Sequence, residues 1–285
     1  MLPINWNTAI HYAVLVHIAE SVAPTSNYGP NEISAISNSG YTFLQTLYGD
    51  DLATDIDPHI GDVVTFGFLA VSAAKELVAV IRGTDSILEW LHDAAYSIVP
   101  CPIAGSHGCS EDGFTGVYRS LRIGQANGTP AAVDSMKSHL DSGSATSVTV
   151  CGHSIGGALA TLLTIDVALN TSCHTPTAYT FASPRIGEHL FAKAFNASIA
   201  SHYRIVNRHD LVPKLPPILP LPYEHVNTYY ELIPPPDKIN LTIRCMHHLT
   251  TYLWLMSQQA VAGQPAGSTT HQLDADCVAT GPAHI

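Results

Sequence analysis

Residues 147 to 169, SVTVCGHSIGGALATLLTIDVAL, restrict what this chain can fold into more than any other stretch. Val148, Thr149 and Val150 are β-branched and read as a buried strand. From Ala158 onward Ala, Leu and Ile recur at helical spacing, with no Gly or Pro until well past Leu169. Between strand and helix the chain must turn sharply, and one hydroxyl, Ser154, stands at the apex. Bulky neighbours there would collide with the adjoining strand or helix, and Gly152 and Gly156, two residues to either side, remove that collision. A serine so placed is a candidate nucleophile. The plainer alternative is a glycine-rich turn whose serine caps the helix.

The remainder of the chain narrows the class. Its 285 residues suffice for one large domain with a buried core, and no linker, repeat or charge block divides them. A single domain over 1–285 is expected, with about 260–285, rich in Gly, Ala, Ser and Thr, as a loosely packed tail. The formal net charge is -11, from 12 Lys and Arg against 23 Asp and Glu, which argues against nucleic acid and against electrostatic docking on anionic membranes. No apolar run reaches the roughly 18 residues of a membrane span, so no transmembrane segment is expected. The start, MLPINWNTAIHYAVLVHIAESVAP, lacks a basic n-region and reads as an amphipathic helix; a secreted protein would then be represented by its mature chain.

Six cysteines allow 15 pairings. Cys101 and Cys109 bracket a short loop and form the most plausible local bridge, Cys245 with Cys277 is a second pair, and Cys151 reads as a buried free thiol. None has zinc-ligand spacing, and no metal or organic cofactor is expected. Asn170, Asn196 and Asn240 stand in N-x-S/T sequons.

Strands alternate with helices along the chain. Residues DVVTFGFLAVSAAKELVAVIRGTDS suggest two paired strands around Ala74-Lys75-Glu76, and a helical stretch is expected from about 113 to 141. After the Ser154 helix come TAYTFASPRIG, EHLFAKAFN, HYRIVNRHD, a Pro-rich loop, VNTYYELI and a closing helix in HHLTTYLWLMSQQ. Such alternation predicts an α/β fold with a mainly parallel central sheet flanked by helices.

A serine hydroxyl attacks only if a base takes its proton, and the base needs a carboxylate to hold its tautomer. In α/β-hydrolase sheets the order along the chain is Ser, then Asp or Glu, then His. Asp210 follows a strand and precedes prolines that stiffen its loop, whereas Asp166 lies mid-helix. Of the later histidines, His271 and His284 fall in the tail and His225 opens a strand; His247 and His248 stand at the mouth of a helix, and both remain open as the base.

Together VTVCGHSIGGALA, VNRHDLVPKLPP, HHLTTY and AVIRGTDSILEWLHD resemble the class 3 lipase family, the group of fungal lipases and feruloyl esterases, from about residue 10 to 258. The resemblance implies an α/β-hydrolase fold with a short helical lid and the triad Ser154, Asp210 and His248. His248 is preferred because the family's histidine is followed by Leu and then an aromatic, as Leu249 and Tyr252 follow here. The oxyanion of the tetrahedral intermediate would be met by the backbone N–H of Ile155, at a helix N-terminus, and by resemblance by Thr84; each donor contributes roughly 3–4 kcal/mol. Ser86 and Glu89 form a capping box for a short helix that puts Ile87, Trp90 and Leu91 on one face. In the family this segment, here Ser86, Ile87, Leu88, Trp90 and Leu91, is a lid. Burying its large side chains at about 1.5–3 kcal/mol each would close the site in water, and a lipid surface offers the same burial.

Ile218, Leu219 and Leu221 are candidates for an acyl groove. The chain departs from the family's His-x-Gly-Phe at Glu111-Asp112-Gly113-Phe114. The expectation is a lid-gated, secreted, monomeric serine lipase acting on acylglycerol esters at an oil–water interface through an acyl-enzyme. Two alternatives are an esterase for soluble or aryl, feruloyl-type esters, and a non-catalytic interaction protein that keeps the elbow as scaffold.

Overall fold

The alternation of apolar side chains in the middle strands decides the layering. Leu77, Ala79 and Ile81 of β3 (Glu76–Ile81) and Val148 and Val150 of β6 (Ser147–His153) enter one core, while Val78, Val80 and Cys151 enter another on the opposite face. A sheet buried on both faces must be covered by helices twice. The computed structural model describes residues 3–51, 62–83, 97–126, 128–261 and 271–279. Among them seven strands form the central sheet, in the order β1 (Tyr41–Asp50), β2 (Val63–Ser72), β3, β6, β7 (Thr177–Phe181), β9 (Ser201–Asn207) and β11 (Tyr229–Leu232). The first three pair antiparallel, and every pairing from β3 to β11 is parallel. This is the α/β arrangement expected from the sequence.

On one face lie α1 (Trp6–Glu20), α2 (Pro30–Asn38) and the closing helix α8 (Leu249–Val261). Asn5 caps α1 by accepting from the N–H groups of Asn7 and Thr8 at 3.0 and 3.2 Å. On the other face lie α3 (Asp112–Ser120), α4 (Ala132–Asp141), α5 (Ile155–Asn170) and α6 (His189–Ser198). Helix α5 is buried all round, from Ile155 through Ala168, as its largely apolar sequence requires. A smaller sheet of four strands, β10 (Tyr223–Glu224), β8 (Gly187–Glu188), β5 (Cys109–Glu111) and β4 (Ile98–Pro100), lies beside α3 and α6.

Three expectations are corrected. The helix expected over 113–141 is two helices, α3 and α4, because Gly124, Gly128 and Pro130 interrupt it; the intervening chain bridges Arg122 to Tyr48 and to Ala131 instead. Cys101 and Cys109 are both free. Cys109 stands opposite Pro100 in the β4–β5 ladder, so a one-residue offset turns the Cys101 side chain to the other face. The bridge that forms is Cys245–Cys277, with an S–S distance of 2.04 Å, while Cys151 is buried and free. The tail, in its described part, is anchored rather than loose. Cys277 is fully buried, Asn240 N–H donates to its carbonyl at 2.9 Å, and Val278 bridges Ile239. Residues 262–270 and 280–285 lie outside the described residues.

Candidate active site

Strand β6 delivers the chain to Ser154 and α5 takes it away at Ile155, so the serine occupies the single connecting residue. Its backbone has φ 59° and ψ −128°, a conformation an L-residue adopts only when its surroundings impose it. Those surroundings are tight. A Cβ added at Gly152 would stand 2.2 Å from the carbonyl oxygen of Gly156, and one at Gly156 would stand 2.4 Å from the carbonyl oxygens of Ile81 and Arg82. Both glycines are therefore steric requirements of the elbow.

Ser154 Oγ lies 2.9 Å from Nε2 of His247, and Nδ1 of the same ring lies 2.9 Å from Oδ2 of Asp210. Asp210 is fully buried. Its Oδ2 also accepts from the Tyr252 hydroxyl at 2.7 Å, and its Oδ1 accepts from the N–H of Val212 at 3.0 Å. A carboxylate fixed by these donors makes Nδ1 of His247 the protonated nitrogen and leaves Nε2 to accept from Ser154. Burial pushes the His247 ring below the ordinary histidine range, Asp210 opposes that shift, and His153 adds to it. Asn207, at the end of β9, donates its side-chain amide to the carbonyl of Met246 at 2.7 Å, which ties the histidine-bearing turn to the strand that precedes Asp210.

The expectation for His248 is overturned. The five-residue helix α7 (Ile243–His247) ends at His247, and His248 leaves it with φ −54° and ψ 137°. Neighbouring side chains then face different ways. His248 turns to Asp274, Nδ1 to Oδ2 at 2.7 Å, and Thr250 donates to the same oxygen at 2.9 Å. No local sequence signal separates the two histidines, because the partner that draws His248 away, Asp274, lies 26 residues further on. The Sγ of Cys277 lies within 4.8 Å of the ligand atoms of His248 and Asp274, but it is committed to Cys245, which leaves two groups for any ion there.

Other expected residues fall variously. Ile155 opens α5, where the leading N–H groups have no intrahelical acceptor. Thr84 lies outside the described residues, as do Ser86, Ile87, Leu88, Trp90 and Leu91. Gly83 sits against Ser154: a Cβ there would be 3.2 Å from that of the serine. Ile218 and Leu219 are exposed at 59% and 76%, and Leu221 is half-buried. Asp166 bonds to Tyr118 and to Asn170, and His225 bonds the carbonyl of Pro213. Among the sequons, the Asn170 and Asn240 amides donate to backbone carbonyls, whereas Asn196 is exposed and accepts from the N–H of Asn227. A cavity of about 390 Å³ lined by Ile103, Tyr118, Val133 and Asp166 includes none of Ser154, His247 and Asp210.

Sequence comparison with known families matches the chain to lipase (class 3) over residues 78–219, which spans both Ser154 and Asp210. A phospholipase A1-II 7 of Oryza sativa subsp. indica is 29% identical over 244 residues, 75% of this chain and 58% of the rice protein. A secreted mono- and diacylglycerol lipase 1 of Fusarium solani is 29% identical over 56% of this chain and 45% of its own length. The chain thus spans about half the length of the curated relatives it matches. The Lip2 lipase of Yarrowia lipolytica superposes with a TM-score of 0.63 at 21% identity, covering 83% of this chain and 81% of that one, so the fold is that of the α/β-hydrolases. With the elbow, the chain order Ser, Asp, His and these matches together, the chain belongs to the class 3 lipase family.

Proposed function

We propose that this chain is a serine ester hydrolase of the lipase type, cleaving carboxylic esters of acylglycerols through an acyl-enzyme. The observation that carries the reading is the hydrogen-bonded series Ser154–His247–Asp210 on a strained strand–helix turn. Ser154 Oγ attacks the ester carbonyl while His247 Nε2 takes its proton. Asp210 holds the ring and stabilises the imidazolium that forms. Oxygen charge in the tetrahedral intermediate is met by the N–H of Ile155, at the positive end of α5, and by Thr84. His247 then gives its proton to the leaving alkoxide, a water repeats the sequence in reverse, and the acid departs. The chain works as one domain and as a monomer, and the segment from Ser86 to Leu91 gates the site at an oil–water interface. Its apolar face would bury against the closed site in water and against lipid when open.

The Cys245–Cys277 bridge and the secreted Fusarium relative support an extracellular, oxidising setting. Among the described residues no helix is long and apolar enough to cross a membrane. The rice relatives, named phospholipases A1, favour a second substrate, the carboxylic ester of a phospholipid, handled by the same triad.

Tributyrin hydrolysis measured across the substrate's solubility limit, with Ser154→Ala as blank, tests the reading. The expected result is a rate jump when droplets appear and a fall on the order of 10⁴-fold in the variant. Saturation below the limit without a jump would replace the lipase by an esterase for soluble esters. Equal rates for the two proteins would remove Ser154 as nucleophile. Phosphatidylcholine vesicles in the same assay decide the second substrate.

A further inference from the structure

The residue before the nucleophile, His153, has no part in the steps above, yet it is buried beside the ring of the base. Its Nδ1 lies 2.8 Å from Glu20 Oε1 and its Nε2 lies 2.8 Å from the main-chain carbonyl oxygen of His247. Both partners are acceptors. A neutral imidazole has one N–H, so it would turn a nitrogen lone pair on one of these oxygens at hydrogen-bond distance; an imidazolium satisfies both. The same Glu20 oxygen accepts from the N–H of Gly83 at 3.3 Å, as an ionised carboxylate does. We propose that His153 is a positioning residue: an imidazolium clamped between the Glu20 carboxylate and the His247 carbonyl, which fixes the backbone of the base and opposes a second positive charge on its ring. The proposal rests on His247 being the general base.

The clamp joins four parts of the fold. Glu20 is the last residue of α1, Gly83 follows β3 beside Ser154, His153 ends β6, and His247 ends α7. The His153 and His247 rings lie tilted against each other at 33°, with centroids 4.7 Å apart. At that separation like charges inside a protein repel strongly.

Among the described residues, other groups also bear on the clamp. Tyr252 of α8 presents its ring edge at 6.0 Å. Asp210 acts on His153 through its charge, and His17 of α1 acts on Glu20. Arg82 turns its guanidinium away, to the carbonyls of Gly83 and Val22. The ionisation directions agree with the geometry. Burial opposes charge on both partners, but their mutual attraction prevails, raising His153 and lowering Glu20. His153 in turn lowers His247, while Glu20 acts weakly the other way.

Two measurements test the clamp. In the Ser154→Ala protein with ¹⁵N-labelled histidines, the signal lost in His153→Gln is expected to show both ring nitrogens protonated from pH 5 to 8. Glu20→Gln should make that signal titrate within this range. A single N–H across the range overturns the proposal. The second measurement is the pH profile of kcat/KM on a soluble p-nitrophenyl ester. In His153→Gln the charge is gone and the Glu20 charge left behind acts in the same direction, so the acid limb should move up by about one pH unit, with KM within about twofold. An unmoved limb also overturns it. Should His247→Ala retain activity, the general-base reading falls separately, because the nitrogen signals do not depend on turnover.

Discussion

At the scale of single residues, the site turns on which of two adjacent histidines faces the serine. Changing His247 to Ala should lower kcat on the order of 10⁴-fold or more, since the serine loses its base. His248→Ala should keep kcat within a few-fold and cost about 1 kcal/mol of stability or less through the lost pair with Asp274, which is about one-third exposed. Ester hydrolysis and urea denaturation of the two variants check this, and the reverse ranking would make His248 the base. Ser154 and Asp210 were legible because their chemistry is written locally: glycines around one, a strand end and prolines around the other. The histidine was not, because its choice depends on where α7 stops and on Asp274, 26 residues further on.

At the scale of elements, the bridge between Cys245 and Cys277 binds the described tail to the short helix that bears His247. The two cysteines are 32 residues apart, and closing such a loop restricts the unfolded chain by about 3–4 kcal/mol. Cys277→Ser is therefore expected to lose most of that stability and some kcat, since Asn240, Arg244 and His248 all lean on residues 274–278. Thermal denaturation and esterase assays of the variant, with and without reductant on the wild type, measure it. A variant as stable as the oxidised parent would show that the tail is held by its hydrogen bonds alone. The helices at both ends and the strands β2, β3, β6, β7, β9 and β11 were readable from periodicity. The break between α3 and α4 is marked by Gly124, Gly128 and Pro130, yet the apolar spacing runs on across it.

For the molecule as a whole, the departure at Glu111 bears on stability against pH. Glu111 caps α3, accepting from the Phe114 N–H at 2.8 Å, and it is 3% exposed. Burial pushes its carboxyl up to about 7, against the capping N–H groups that favour its ionised form. The folded chain thus keeps a proton that the unfolded chain has released above about 4.5. The sign follows: this group's contribution to stability is full below about 4.5, declines as pH rises, and by pH 8 has fallen by about 3 kcal/mol. Gln at this position still offers an acceptor to Phe114 and does not titrate. Urea denaturation at pH 5 and pH 8 should therefore show Glu111→Gln gaining on the parent between the two. An equal difference at both values would mean that Glu111 ionises freely in the fold.

The sequence by itself determined the elbow with Ser154 at its apex, the place of Asp210 after a strand end and the alternation of strand and helix, because each is set by residues within a few positions of one another. The tertiary structure alone decided the rest. It turned His247 rather than His248 to Ser154, left Cys101 and Cys109 unbridged while the expected Cys245–Cys277 pair formed, and brought Glu20 beside His153. Each of these depends on which face a side chain presents after a helix or ladder ends, and on partners that the chain brings near only once the sheet has closed its layers.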